Sequence, residues 1–190
     1  MDIIENPDKY PARFKNWNGG EGLAGYPWIE NIHSPLTALK RALPMLNLGL
    51  ISLAGAYIDW TEAFDREARD GDTGFHEIPV EVEAADLRYA AKGYDTKAIE
   101  EDRNAQIPID RLIEYQDNAV IGRLNSVWWS ISSWSPNALL VAEEIAPTLS
   151  ERLARYEVNA ALIIPANRLG HQTAGIVARK NGIGKLSLLL

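Results

Sequence analysis

The pattern of apolar and polar positions changes character near residue 45. Before it, Asn16-Trp17-Asn18-Gly19-Gly20-Glu21-Gly22 and Gly25-Tyr26-Pro27-Trp28 are turn-rich and aromatic. They show neither a helical nor an alternating period. Residues 1–45 are therefore expected to form an irregular arm whose Trp and Tyr side chains dock on a neighbouring surface, of this chain or of a partner. Beyond it, Leu48-Gly49-Leu50-Ile51-Ser52-Leu53 is a short apolar run closed by Ala54-Gly55, which reads as a buried strand leading into a loop.

Val80–Val82 and Leu87–Ala90 are candidate short strands. Ile109–Gln116 reads as a helix entered at Pro108, where the missing N–H costs least, with Leu112, Ile113 and Tyr115 inward. Val120–Ile131 is rich in β-branched and aromatic residues and should contain at least one strand. From Pro136 to Tyr156, Leu139, Leu140, Ala142, Ile145, Leu149 and Leu153 recur at helical spacing, and Pro147 should divide or kink that helix. A strand at Ala160–Ile164, a helix at Thr173–Lys180, a stop at Gly182 and a strand at Lys185–Leu190 make a βαβ crossover, which demands a parallel pair. The expected fold for residues 46–190 is a single α/β domain, an open, mostly parallel sheet with helices on both faces, of flavodoxin or Rossmann type.

Composition narrows the partners. The formal charge of −7, with 19 basic residues scattered along the chain, disfavours nucleic acid, which calls for clustered Lys and Arg. No apolar run reaches the length of a membrane span. The N-terminus lacks the basic-then-apolar pattern of a secretory signal, so the expected location is the cytoplasm. There is no cysteine, which removes disulfides, thiolate nucleophiles and thiolate metal ligands from this chain. His33 and His76 have no ligand-spaced partners, so no structural zinc is expected, and no cofactor. Gly182-Ile183-Gly184 lacks the order of a phosphate loop. Trp128, Trp129 and Trp134 read as core or interface, and Ser130, Ser132 and Ser133 suggest no catalytic triad.

The stretch Pro165-Ala166-Asn167-Arg168-Leu169-Gly170-His171-Gln172-Thr173 follows a buried strand and opens a helix. In an open parallel sheet ligands sit beyond the carboxyl ends of the strands, and a helix start suits a carboxylate or phosphate. Gly170 would let backbone approach a ligand, and His171, Gln172 and Thr173 would supply donors. A helix start with a surface histidine explains the same residues equally well.

These residues resemble the B subunits of the glycine, sarcosine, betaine and D-proline reductases, most closely the D-proline type. In that family an apolar strand is followed by a selenocysteine or cysteine, and three residues later by Cys-His-Gln-Thr at the helix start. Here His171-Gln172-Thr173 stands intact, while Asn167 occupies the selenocysteine position and Gly170 the cysteine position. Upstream, Gly71-Asp72, His76-Glu77-Ile78-Pro79, Asp86-Leu87-Arg88, Tyr94-Asp95, Asp102-Arg103-Asn104, Pro108-Ile109-Asp110-Arg111-Leu112 and a short Val120-Ile121-Gly122 strand follow in the family's order. The family's His-x-His before Tyr94-Asp95 is replaced by Ala91-Lys92-Gly93.

The resemblance implies a redox site from which two chalcogens and two imidazoles have gone. An amide is neither nucleophilic nor redox-active, so the family's reductive cleavage is not expected of this chain alone. His171 and Asp102 are the candidate catalytic residues. Asn167, Gly170, Gln172, Thr173 and Asn104 are the candidate substrate-binding residues, with no metal. Glu77, Asp95 and Asp110 are weaker candidates. The expectation is a subunit or enzyme acting on a small amino or carboxylic acid by non-selenium, non-thiol chemistry. The alternative is a non-catalytic structural subunit of a heteromeric complex. Either implies a small carboxylate or amino-acid ligand, or a homologous or unrelated protein subunit, in a homo- or hetero-oligomer.

Overall fold

The computed structural model describes residues 3–33, 41–182 and 187–189. In chain order its strands are β1 (Asn47–Leu53), β2 (Ala56–Ile58), β3 (Phe75–Pro79), β4 (Leu87–Tyr89), β5 (Arg123–Leu124), β6 (Val127–Ile131), β7 (Ala160–Pro165) and β8 (Ser187–Leu189). Its α-helices are α1 (Tyr10–Asn16), α2 (Lys97–Glu101), α3 (Ile109–Asp117), α4 (Ala138–Leu140), α5 (Ala146–Arg155) and α6 (Arg168–Gly182).

Every position of β1 is buried, as befits a strand covered on both faces. It is the centre of a sheet ordered β3-β6-β1-β7-β8, with β5 also paired to β1. All pairings are parallel except β3 with β6. The expected α/β architecture and the closing βαβ unit are therefore present. Alternation along the strands sorts the core into two layers. Ile51, Leu53, Trp129, Ile131, Ala161 and Ile163 face α4, α5 and α6. Leu48, Leu50, Trp128 and Ala160 face Ile99 of α2 and Ile109 and Leu112 of α3. A separate antiparallel pair joins β2 to β4.

Four local expectations are corrected. Val80–Val82 is a turn, closed by the Val82 N–H on the Pro79 carbonyl at 3.2 Å; the strand is Phe75–Pro79 just before it, an edge strand that tolerates a proline. Val120–Gly122 is a bend, and pairing begins at Arg123. Tyr115 points to solvent, 51% exposed, at the margin of the face that buries Leu112. Pro147 does not divide its helix, because Val141–Ile145 widens into a π turn that runs on from α4 into α5. A proline nitrogen leaves the carbonyl four residues back, here Glu143, without its usual donor, and a widened turn at that point absorbs the change. Ile183 to Leu186 and Leu190 lie outside the described residues, as do Ser34 and Pro35; the terminal strand is described at Ser187–Leu189.

The arm docks on its own chain, and it is less irregular than its composition suggests. Tyr10, Phe14 and Trp17 recur at helical spacing on and after α1, and all three join the α4–α6 core with Tyr26. The Tyr10 and Tyr26 hydroxyls both donate to the Pro136 carbonyl, at 2.8 and 2.5 Å, and Tyr10 accepts from the Ala138 N–H at 2.9 Å. Burial raises the pKa of both phenols, so they remain donors. A second anchor is Arg179 of α6, which donates to the carbonyls of Ile3 and His33 and to Glu5.

Glu5 also accepts from the N–H groups of Ile32 and His33, each at 3.0 Å, and these bonds to its ionised form lower its pKa to about 2. A depressed carboxyl stabilises the docked arm above its unfolded value of about 4.5 and loses that contribution as pH falls towards about 2. The ends of the arm should therefore loosen in that acid window while the part held by Gln172 and the core stays docked, and Glu5→Gln should loosen the same ends already at neutral pH. Amide hydrogen exchange at Ile32 and His33 across an acid titration checks both.

Candidate functional site

The loops beyond the carboxyl ends of β1, β6 and β7 meet at the place where the strand order reverses direction, between β1 and β7. What fills that place is the chain itself. The Tyr94 hydroxyl donates to the Ala54 carbonyl at 2.6 Å. The Ala90 N–H donates to Gly55, and the Ser133 hydroxyl donates to the Ala90 carbonyl. The Lys92 N–H donates to Ser133 Oγ at 2.9 Å. Segment 90–94 is thereby stitched across the ends of β1 and β6, with the Lys92 ammonium 4.9 Å from the centre of the Trp134 ring.

Asn167 completes the closure. Its Nδ2 donates to the carbonyls of Lys92 (2.9 Å) and Ser133 (2.7 Å), and its Oδ1 accepts from the Gly170 N–H at 2.8 Å. The last bond is an N-cap, so α6 begins at Arg168, five residues before the expected Thr173. Gly93 lies against the same amide: its φ of +80° is left-handed, and a Cβ there would sit 3.2 Å from Asn167 Nδ2. Asn167 and the segment Ala91-Lys92-Gly93, the two places where the resemblance expects other residues, are thus bonded to each other.

The early helix start places the remaining candidates. Gly170 is buried in the first turn, and a Cβ there would meet Pro165 Cβ at 3.2 Å. His171 is exposed to solvent. Gln172 holds the arm, accepting from the Ile29 N–H at 3.1 Å and donating to the Tyr26 hydroxyl at 2.7 Å. Thr173 is 1% exposed, inside the core. The arm thus lies along the opening turns of α6, with Trp28 against the Arg168 guanidinium.

Asp102 and Asn104 form a separate cluster. Asp102 Oδ1 accepts from the Asn104 backbone N–H (2.9 Å) and side chain (2.8 Å), and Asn104 Nδ2 also reaches Asp110 at 2.8 Å. Arg103 clamps Asp110 with two bonds, at 2.6 and 3.1 Å, and ties Val82 to the cluster. The hydrogen bonds from Asn104 hold Asp102 ionised below the usual range, and the Arg103 guanidinium does the same for Asp110. Among the described residues no hydrogen bond joins this cluster to Asn167 or His171. Asp95 caps the turn into α2 through the Lys97 N–H. Glu77 accepts from Trp129 Nε1 and the Tyr156 hydroxyl, beneath α5 and away from the strand ends. No three His, Asp or Glu side chains come together as a metal-holding group among the described residues.

One feature of the strand ends was not visible as a motif. Ser52 of β1, Ser130 of β6 and His76 of β3 stand in adjacent register across the sheet. Ser52 donates to the Gln106 carbonyl at 3.1 Å, while Ser130 Oγ, Gln106 Oε1 and Asn104 Oδ1 are buried without a partner among the described residues. The available signal was a serine at a core-facing position of each strand, beside Leu50 and Trp128.

Comparison with known proteins bears out the resemblance. Residues 77–166 match the glycine/sarcosine/betaine reductase selenoprotein B family. The match spans β3 to β7, just under half the chain, and does not single out the D-proline type. It ends one residue before Asn167, so the positions equated with selenocysteine and cysteine lie beyond it. Neither the curated proteins nor the solved structures gave a match.

The hydrogen bonding of Asn167 sets an expected order of stabilities. Asn167→Ala should cost about 2–4 kcal/mol, from the lost cap and two orphaned carbonyls. Asn167→Asp keeps an acceptor for the cap but turns an oxygen towards those carbonyls, so it should recover little. His171→Ala, at an exposed position, should stay within about 0.5 kcal/mol. Urea unfolding of the three variants checks the order.

Proposed function

We propose that this chain is a selenoprotein B-like subunit without the family's redox centre, with a structural rather than a catalytic place in its complex. The observation that carries the reading is the commitment of Asn167. Where the resemblance expects a selenolate facing substrate, both amide hydrogens are held by backbone carbonyls and the oxygen caps a helix. A nucleophile must instead present a free lone pair to an electrophile and be able to leave again, which a carboxamide does not do.

The rest of the motif supports the same reading. Gln172 and Thr173 serve arm docking and core packing, so the retention of these two residues has an explanation in the fold alone. The carboxylates of Asp102 and Asp110 are engaged by neighbours of their own cluster. His171, exposed on the first turns of α6, has no acidic partner among the described residues.

A second reading draws on the unpartnered atoms Ser130 Oγ, Gln106 Oε1 and Asn104 Oδ1. Buried polar atoms need partners. A small amino acid, handled by non-selenium, non-thiol chemistry, would supply them: its ammonium would donate to the two amide oxygens and its carboxylate would accept from the Ser130 hydroxyl.

Calorimetric titration with glycine, sarcosine and betaine separates the two. The structural reading expects no saturable heat from the wild-type chain. Saturable binding that is abolished in Ser130→Ala but kept in Asn167→Asp would overturn it in favour of the second.

A further inference from the structure

Among the described residues six large hydrophobic side chains are exposed, and four of them, Leu43, Met45, Tyr115 and Val120, belong to segments at the amino-terminal end of the sheet. Leu43 and Met45 lie on the turn that leads into β1, Tyr115 on α3, and Val120 on the bend before β5. The Gly122 N–H donates to the Leu43 carbonyl and the Arg123 N–H to Leu46, at 3.0 and 2.9 Å, which draws the two segments together. Exposed apolar residues scattered singly need no explanation, but a grouped set does.

Beside them is a cavity of about 490 Å³ lined by Arg41, Pro44, Met45, Arg123 and Glu157 among others. That volume is within the roughly 300–1,000 Å³ of ordinary ligand sites and is roomy enough for an indole. Neither guanidinium is in an ion pair among the described residues. On a chain of net charge −7 this mouth, two arginines against one glutamate, is a local positive spot.

The shape and charge that fit it are found on the same chain. Trp60 is 72% exposed and stands on a rigid turn, with the Thr61 N–H and hydroxyl both on the Ile58 carbonyl at 2.8 Å and the Asp59 N–H on Asp86 at 2.9 Å. Glu62, two residues on, is exposed and in no ion pair among the described residues; Asp59 is paired with Arg88 at 3.0 Å. A preorganised tryptophan with a carboxylate beside it has the form of an interface anchor, and arginine suits both its ring and its acid.

We infer that the chain associates with a second copy of itself head to tail. Trp60 of one copy enters the cavity beside Met45 of the next, and Glu62 meets Arg41 and Arg123. Knob and cavity are different surfaces, so the contact is heterologous and repeats along a ring or filament.

Sedimentation velocity over a concentration series tests this with Trp60→Ala and with the double variant Met45→Glu, Arg123→Glu. All three positions are exposed, and urea midpoints should match the wild type. The wild-type chain should grow with concentration beyond its 21.1 kDa monomer, less so in high salt. Each variant alone should stay at 21.1 kDa, whereas an equimolar mixture should give a species of twice that mass, because one intact knob meets one intact cavity. A monomeric wild type, a variant that still associates, or a mixture of folded variants that stays monomeric would overturn the inference.

Discussion

The Asn167 side chain joins three segments that are far apart in sequence: the loop at Lys92, the end of β6 at Ser133 and the first turn of α6 at Gly170. Each bond answers a need of the backbone. Two carbonyls beyond the carboxyl ends of the strands gain donors, and an N–H at the start of a 15-residue helix gains an acceptor. At the same end Tyr94 reaches Ala54 and Ser133 reaches Ala90, so the space where a doubly wound sheet would offer a ligand crevice is bridged by main chain. One side chain thus supplies the fold with a clasp.

α6 carries a second load. Gln172 and Arg179 lie two turns apart, and each fixes a different part of the arm, residues 26–29 in one case and residues 3–33 at their two ends in the other. Together with Tyr10 and Tyr26 on the Pro136 carbonyl, these bonds make the arm part of the α4–α6 core. A helix start with its opening turns overlain by aromatic side chains is a poor berth for a soluble anion, whatever its dipole.

Much of the fold was legible because the central strands are buried on both faces. β1, β6 and β7 announce themselves as apolar runs of the right length, bounded by Gly and Pro, and α3 and α5 by helical spacing. β3 was missed because Phe75-His76-Glu77-Ile78-Pro79 is neither an apolar run nor a strict alternation, and it contains a proline that a central strand would not accept. α1 was missed although Tyr10, Phe14 and Trp17 stand at helical spacing, because the Gly- and Asn-rich stretch after them dominates the local composition. The start of α6 was misplaced because an asparagine was weighed as a lost selenocysteine rather than as a cap. Candidate residues could be singled out from sequence, but what their side chains hold could not. That Gln172 donates to Tyr26, 146 residues away, and that Asn167 meets Lys92 are facts of tertiary contact that no local pattern encodes.

The central claim is that the Asn167 amide is a closed structural clasp and not a group waiting for a ligand. Its side-chain NH₂ resonances, assigned by their loss in Asn167→Asp, test this most directly, followed by hydrogen exchange and by titration with glycine, sarcosine and betaine. The account predicts two slowly exchanging protons whose shifts stay fixed throughout the titration. Rapid exchange, or a saturable shift on adding any of the three, would contradict it.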